Sequence, residues 1–222
     1  IEAKARSIKI NRPDINKSFS EFLVVDYDRN LKSINYGLSA IKNVGQLAIE
    51  DLVKERESKG NFKSLEDFLR RVSRSVVNKR LLENLIKSGS IDCLHNNRKQ
   101  LLNNIDNLIA FNDMIKRENE SNQNTLFGKE ESIDLKVKLD NVEFFSFSEK
   151  LDNEFSALGL YLTSHPLEPF SKIIKKLEIL GSNEIERHVN KIGSGCRFKL
   201  AGIISNIQMR TTKRGKKFFI IY

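Results

Sequence analysis

The sequence predicts a mainly α-helical fold with a smaller β portion (α+β). Two apolar series at helical spacing flank a glycine-centred turn at 43–45, and further helical series continue to about residue 112. Towards the C-terminus, stretches rich in Ile and Phe instead enclose a basic loop, which is typical of paired strands. We therefore expect five regions: a β-hairpin in 1–34, helical hairpins in 35–112, a polar linker in 113–148, a helical connector in 149–194 and strands in 195–222.

A β-hairpin is the predicted structure of the first region. Phe22–Val25 and Leu31–Ile34 are candidate strands, and the polar residues between them are typical of a turn. Asp26 and Asp28 also have the spacing of paired carboxylates that hold catalytic cations. Because no third carboxylate follows in a comparable setting, we interpret both as turn residues.

The turn at 43–45 predicts a helix-hairpin-helix motif. The apolar residues that flank it are Leu38, Ile41, Ile49, Leu52 and Val53. Gly45 can adopt the positive φ that a tight turn requires. Backbone N–H groups at the start of the second helix would then face outward, where the helix dipole favours an anion and Lys42 lies close by. The predicted ligand is a nucleic-acid backbone; an ordinary turn between two helices is the alternative.

A second helical unit follows the first. Ser64 is a candidate N-cap, and the unit ends in a second glycine turn, Lys87-Ser88-Gly89. Its apolar residues at helical spacing are Leu65, Phe68, Leu69, Val72, Leu81, Leu82, Leu85 and Ile86, and a further helix from about Asn97 carries Leu101, Leu102, Ile105, Leu108 and Ile109. Two such turns can hold both strands of a duplex without reading bases. The predicted DNA-contacting residues are Lys42, Asn43, Val44, Gly45, Gln46, Lys79, Arg80, Lys87, Ser88, Gly89 and Ser90.

The charge distribution favours a polyanionic partner. The chain carries a formal net charge of +9, and a basic surplus of this size is typical of proteins that bind nucleic acids. The net charge is +6 for residues 1–112, −6 for 113–170 and +9 for 171–222. Because these changes of sign follow the predicted borders, we interpret the basic blocks as binding surfaces rather than as ordinary solvated faces.

The polar stretch between Asn112 and Asp140 predicts a linker, since it has few periodic apolar residues. Within it, Gln123 precedes the adjacent apolar residues Leu126 and Phe127. A linker has no core in which to bury them, so we expect them to anchor in a pocket of a partner protein. The alternative is that they fold back onto the protein's own surface.

One helix and then two strands are predicted after the linker. The helix carries Leu151, Phe155, Leu158 and Leu162 and is stopped by Ser164-His165-Pro166, and a shorter helix is expected near Phe170–Leu177. Cys196–Gln208 and Lys217–Tyr222 read as strands. Two strands are too few for a stable sheet, and a basic loop in this place is where a five-stranded oligonucleotide-binding (OB) barrel contacts single strands. We expect the start of such a barrel, with Arg210, Lys213, Arg214 and Lys216 as single-strand-binding residues; a solvated β-turn is the alternative.

The rest of the sequence excludes some classes of protein. No apolar run is long enough to span a membrane and no signal peptide opens the chain, so we expect a cytoplasmic location. Cys93 and Cys196 are isolated from each other, and the three histidines are scattered. This pattern indicates free thiols, no metal site and no catalytic residue. Because Ile1 is not an initiator methionine, we expect a piece of a longer protein.

Five segments carry a resemblance to a known family, in that family's order. They are Pro13-Asp14-Ile15-Asn16, the run from Asn35-Tyr36-Gly37-Leu38 through Ile41-Lys42-Asn43-Val44-Gly45, Leu85-Ile86-Lys87-Ser88-Gly89-Ser90-Ile91-Asp92, Leu158-Gly159-Leu160-Tyr161-Leu162-Thr163-Ser164-His165-Pro166, and Thr212-Lys213-Arg214-Gly215. Across nearly the whole chain, the sequence resembles the C-terminal part of the C-family bacterial replicative polymerases, the DNA polymerase III α subunits.

This resemblance implies the end of a fingers domain, a tandem helix-hairpin-helix domain that grips duplex DNA, and the first strands of an OB fold. It also implies that Gln123, Leu126 and Phe127 dock on the sliding β clamp, and that other replicase subunits and the nucleoid are nearby. The family's catalytic palm, with its carboxylates and Mg²⁺, has no counterpart here. The fragment is therefore expected to bind DNA without a cofactor, while the parent chain performs nucleotidyl transfer. The second turn, 87–90, lacks the family's fuller Gly-x-Gly sequence.

Two other functions are compatible with parts of the sequence. An accessory domain of a DNA-repair nuclease or helicase would also use paired hairpins to hold DNA without reading it, although metal ligands and nucleotide-binding loops are absent from the sequence. A tRNA-binding module built on an OB fold would explain the basic C-terminal block but not the hairpins.

Overall fold

The computed structural model describes residues 8–28, 31–122, 136–181, 184, 185, 189, 197–204 and 206–222. The chain divides into two compact units, Ile1–Thr163 and Ser164–Tyr222. The predicted α+β class is confirmed, because the described residues form helices together with two small sheets.

A three-stranded sheet opens the first unit. It consists of β1 (Lys9–Asn11), β2 (Leu23–Asp28) and β3 (Leu31–Asn35), in the order β1-β3-β2. The antiparallel pairing of β2 with β3 confirms the predicted hairpin, whereas β1, which pairs in parallel with β3, was not predicted. This strand has only three residues, of which Ile10 alone is apolar, so no alternation marks it in the sequence. The Asn11 amide adds side-chain contacts, donating to Ser33 Oγ (3.1 Å) and Asn35 Oδ1 (2.8 Å).

The helices of the first unit pack around one core. In the described part of this unit they are α1 (Gln46–Lys59), α2 (Leu65–Arg71), α3 (Lys79–Ser88), α4 (Arg98–Asn103), α5 (Ile105–Asn122) and α6 (Phe147–Leu158). The predicted apolar series supply this core, which includes Leu52, Phe68, Leu82, Leu85, Leu101 and Leu108 at no more than 1% exposure. Burial of such side chains is the main stabilising contribution of a fold.

The predicted helix from Asn97 is interrupted at Asn104. That residue has φ −106° and ψ 20°, and it separates α4 from α5. Its side-chain amide donates to the Gln100 carbonyl (2.9 Å), while its Oδ1 accepts from the backbone N–H of Asp140 (3.0 Å). The helix breaks here because Asn104 uses its side chain to hold a distant part of the chain.

The structure differs from the predicted linker, residues 113–148, at both of its ends. Helix α5 continues to Asn122, and residues 136–146 return along α4 and α5. Three other amides fasten this returning segment: Asn97 donates to the Val142 carbonyl (2.7 Å), Gln100 to the Asp140 carbonyl (3.0 Å) and Asn107 to the Lys138 carbonyl (3.2 Å). We name residues 136–146 the return segment.

Helix α6 belongs to the first unit rather than to a separate connector. Ala157 and Leu158 are part of the core, and the helix begins with a capping box in which Ser146 and Glu149 bond each other's backbone. The predicted stop at 164–166 is wrong, because Gly159 ends the helix earlier in the left-handed conformation (φ 76°). Phe155, expected on the same apolar face as Leu151, is 43% exposed.

The second unit contains a short helix and a β-hairpin. A 3₁₀ turn at Glu168–Phe170 leads into α7 (Ser171–Lys176), as predicted, and β4 (Ile207–Thr211) pairs in antiparallel fashion with β5 (Lys217–Ile221). The first strand was predicted to begin at Cys196, which lies outside the described residues; among those described, the strand begins only at Ile207. The described residues of this unit form no strand beyond this hairpin, so the expected barrel stays a prediction.

Candidate nucleic-acid interface

Helix α1 begins without a capping side chain, unlike its neighbours. Helices α2, α3 and α4 begin at Ser64, Asn78 and Asn97, whose side chains accept a first-turn N–H group. The N-cap of α1 is Gly45, which has no side chain to offer. Within the described chain, no protein acceptor therefore binds the first-turn amides at Gln46 and Leu47, both of which are exposed. This helix end retains its capacity to bind an anion.

The turn before α1 differs from the predicted geometry. Gly45 is extended (φ −77°, ψ 132°), and the residue with positive φ is Asn43 (φ 60°). Asn tolerates the left-handed region better than most residues because its short side chain bonds locally. The element before the turn is only a 3₁₀ turn, Leu38–Ala40, and the Lys42 N–H donates to the Ala157 carbonyl (2.9 Å) at the end of α6.

Two basic residues lie at the turn that leads into this helix end. Lys42 is exposed in the turn, and Arg80, in the first turn of α3, donates from Nη2 to Asn43 Oδ1 (2.6 Å). That hydrogen bond places the start of α3 next to the turn. Val44 is half-buried and packs against the core, so it supports the turn from beneath. We name the exposed group formed by Lys42, Asn43, Gly45, Gln46 and Arg80 the α1 seat.

Lys79 is next to Arg80 but is already engaged. Its ammonium group bonds Asp106 Oδ1 at 2.9 Å, and this hydrogen bond raises the pKa of Lys79 above its ordinary value. A phosphate would have to compete with the Asp106 carboxylate for this lysine. Arg80 is therefore the stronger of the two predicted contacts.

The predicted second seat at Gly89 is closed. Gly89 adopts the left-handed conformation (φ 82°) that ends α3, and its N–H donates to the Ile86 carbonyl (3.0 Å), while the Ser90 N–H donates to the Leu85 carbonyl (3.1 Å). Ser88 and Ser90 are buried, and their hydroxyl groups bond each other at 2.7 Å. The expectation that Ser88, Gly89 and Ser90 offer amides to phosphate is therefore wrong, since these amides complete the helix end.

A buried arginine covers the same glycine. Arg98 is 3% exposed and bonds both oxygens of Asp92 (2.7 and 2.6 Å) as well as the Lys87 carbonyl (3.2 Å). A Cβ atom on Gly89 would lie 1.9 Å from Arg98 Nη2. This arginine was not predicted as part of the site, although the opposite charges of Asp92 and Arg98 could have suggested the pair. Lys87 lies at the far end of α3 from Arg80, about 10 Å along the helix axis.

The second hairpin turn lies before α3 instead of after it. Residues 72–78 join α2 to α3, with the N–H groups of Val76 and Val77 donating to the Ser73 carbonyl (3.0 and 3.3 Å). The Asn78 side chain then caps α3 through the Leu81 N–H (3.0 Å). The two helical hairpins therefore meet at Asn43 and Arg80, and together they form one surface rather than two separate seats.

The other predicted sites lie elsewhere in the chain. Arg210, Lys213, Arg214 and Lys216 are exposed on the β4–β5 hairpin, whose turn closes through Thr212 N–H to the Lys216 carbonyl (2.8 Å). Gln123, Leu126 and Phe127 lie outside the described residues. Within the described part of the chain, no three His, Cys, Asp or Glu side chains are grouped in a way that could hold a metal ion. The helices that the structure describes include none with the length and apolar character of a membrane span.

Comparison with known proteins supports the family resemblance. A family model described as a helix-hairpin-helix motif matches residues 7–101. The DNA polymerase III subunit alpha of Borreliella burgdorferi is 40% identical over 216 residues, which cover 96% of this chain. Those of Caulobacter vibrioides and Neisseria meningitidis are 31% identical over 220 residues and 33% identical over 219 residues, each covering 99% of this chain.

These relatives are much longer than the chain. The matched region spans 18% of the length of each of the three. The helix-hairpin-helix match includes the α1 seat and both helical hairpins. Over nearly its whole length, therefore, this chain is homologous to one segment of the bacterial DNA polymerase III α subunits, and that segment includes a helix-hairpin-helix motif.

Proposed function

We propose that this chain is a segment of a bacterial replicative DNA polymerase and that its first unit holds duplex DNA by the phosphate backbone. Nucleotidyl transfer belongs to the remainder of the parent chain. The observation that carries the proposal is the open start of α1, where free backbone amides lie beside Lys42 and Arg80. The relatives support the same assignment, because each is named as a subunit of a DNA polymerase.

The chemistry of the α1 seat suits a phosphate rather than a base. Main-chain amides and the positive end of a helix dipole bind an anion without regard to sequence, and two cations add attraction that falls with salt. Phosphate contacts position a protein on a duplex but carry no sequence information. A polymerase must move along any template, so contacts of this kind meet its requirement.

Charge removal at the α1 seat tests the proposal. We expect Lys42→Gln and Arg80→Gln each to weaken duplex binding and to reduce the slope of log K against log salt by about one unit, since each side chain neutralises about one phosphate. Binding of a fluorescent duplex to the purified chain, measured by anisotropy over a range of salt, gives this slope.

Lys87→Gln is the matched control, because Lys87 carries the same charge at the other end of α3. It is 28% exposed and lies 4.0 Å from Glu83. Its salt slope should equal that of the unmodified chain. A slope that falls with Lys87→Gln but not with Lys42→Gln would move the duplex away from the α1 seat.

We also propose two further contacts for the same polymerase segment. Gln123, Leu126 and Phe127 form a peptide that anchors in a pocket of a ring-shaped sliding clamp, and the cations of the β4–β5 hairpin contact single-stranded DNA. Once the peptide is bound to the clamp, the DNA-binding residues are held at a high effective concentration near the DNA that the clamp encircles. Two contacts that are weak alone therefore bind strongly together. This arrangement supports processive synthesis in the bacterial cytoplasm.

If this peptide binds the clamp, its substitution should abolish clamp binding without weakening duplex binding. Replacing Leu126 and Phe127 with Ala should abolish binding to an immobilised clamp, because apolar anchors of this kind dominate the energetics of a small interface. Duplex affinity should stay unchanged. Phe144→Ala, which truncates an exposed ring outside the peptide, is the control and should keep full clamp binding. Equal loss of clamp and duplex binding in the double variant would contradict the division of roles.

A further inference from the structure

An aromatic pair with one exposed ring lies beside Lys42 of the α1 seat. The rings of Phe155 and Tyr161 are stacked, with centroids 4.8 Å apart and an angle of 25° between their planes. Phe155 is 43% exposed although it belongs to a helix of the first unit. Exposed aromatic rings next to basic groups are the usual platform on which unpaired bases stack.

Contacts with Lys42 connect the pair to the α1 seat. The Lys42 ammonium nitrogen lies 5.9 Å from the centroid of the Phe155 ring, and the Lys42 N–H donates to the Ala157 carbonyl at 2.9 Å. A Cβ atom on Gly159 would lie 3.3 Å from Lys42 Cε. A phosphate bound through Lys42 is therefore held next to the face of Phe155.

The fold holds the two rings in place before any ligand binds. Gly159 reverses the chain at the end of α6, which brings Tyr161 back over Phe155. Fully buried Glu154 then accepts from the N–H groups of Leu162 (2.5 Å) and Thr163 (2.9 Å), which fixes the reversed segment. A platform that is already ordered loses little conformational entropy on binding.

We propose that Lys42 turns from the Phe155 ring to a DNA phosphate at the α1 seat, and that an unpaired nucleobase stacks on the ring face that Lys42 leaves. The site then prefers duplex DNA that carries a single-stranded extension over blunt duplex. This inference rests on the proposed function, because it requires a DNA backbone at Lys42. Within a duplex each base face is covered by its neighbours, so a protein ring reaches a base only where pairing ends.

The test compares a blunt hairpin duplex with the same hairpin carrying a short extension on its 3′ or its 5′ strand. A fluorescent adenine analogue occupies the first unpaired position. We expect the full chain to bind one of the extended hairpins at least five-fold more tightly than the blunt one and to quench the analogue by stacking. Phe155→Leu, which keeps apolar volume but removes the aromatic face, should abolish the preference and the quenching while leaving blunt-duplex affinity unchanged.

Control variants separate the possible outcomes. Phe144→Leu changes another exposed ring of the first unit, 62% exposed, and should leave the preference intact. Circular dichroism melts of each variant confirm that folding is retained. If Phe155→Leu keeps both preference and quenching while Lys42→Gln weakens blunt-duplex binding, the stacking proposal is overturned and the proposed function stands. If neither DNA binds, both are overturned.

Discussion

Replacing Gly89 with alanine is expected to lower the free energy of unfolding of the first unit by about 3 kcal/mol. The new Cβ atom would lie 1.9 Å from Nη2 and 2.5 Å from Cζ of Arg98, so the guanidinium group must leave its position. Arg98 is buried and paired with Asp92, and separating such a pair leaves an uncompensated charge in the interior. The left-handed backbone adds strain of about 1 kcal/mol for any residue with a Cβ atom.

Gly159→Ala is the matched control for this backbone strain. Gly159 also ends a helix in the left-handed conformation (φ 76°, against 82° for Gly89), but its Cβ atom would meet only the flexible end of Lys42 at 3.3 Å. It should therefore cost only the strain, about 1 kcal/mol. Urea denaturation followed by circular dichroism measures both values. Equal costs for the two substitutions would show that Arg98 does not depend on the space above Gly89.

Gly45→Asp is expected to change stability and DNA binding in opposite directions. The backbone of Gly45 suits an N-cap, and a Cβ atom there meets nothing within 4 Å. The carboxylate would accept the free first-turn N–H groups and complement the helix dipole, which stabilises the fold by about 0.5–1 kcal/mol. The same carboxylate occupies the α1 seat and repels phosphate, so we expect duplex affinity to fall at least about tenfold.

Two substitutions at the same position separate capping from charge. Gly45→Asn caps α1 without a charge, and Gly45→Ala does neither. We expect Gly45→Ala to bind the duplex most tightly, Gly45→Asn less tightly and Gly45→Asp most weakly. Anisotropy titrations at low salt measure these affinities. Thermal melts of the same samples give the stabilities. Unchanged duplex affinity for Gly45→Asp would mean that the open amides of α1 do not contact DNA.

Local signals predicted much of this fold. The hairpin of β2 and β3 followed from two short apolar stretches around a polar turn, and the start of α2 followed from Ser64, whose side chain accepts the Asp67 N–H at 3.1 Å. The buried series of α3 followed from helical spacing. Each of these features depends on residues that are close in sequence, which is the range over which propensity and periodicity are informative.

Features that depend on distant partners were not predictable in the same way. Gly89 read as an open turn because nothing in its own segment shows that Arg98 covers it. Arg80 was predicted as a separate contact, whereas its bond to Asn43 spans 37 positions and joins the two hairpins into one surface. Phe155 matched a helical apolar series, yet the early end of α6 leaves it exposed beside Lys42.

Side-chain amides also concealed a structural element. No contact was predicted for the asparagines and glutamine along α4 and α5, but Asn97, Gln100 and Asn104 bind the backbone of the return segment. Such contacts follow no period, because an amide can bond any backbone group within reach. The sequence therefore predicted a linker where part of the chain is packed.

The return segment also limits where a clamp could sit. Asn122 ends α5, and residues 137–142 are bonded to α2, α4 and α5. The described residues on both sides of the peptide containing Gln123, Leu126 and Phe127 therefore belong to the same unit. Chain length alone limits the midpoint of residues 122–137 to about 25 Å from either end. A ring bound by this peptide would therefore be confined to the neighbourhood of α5 and the return segment.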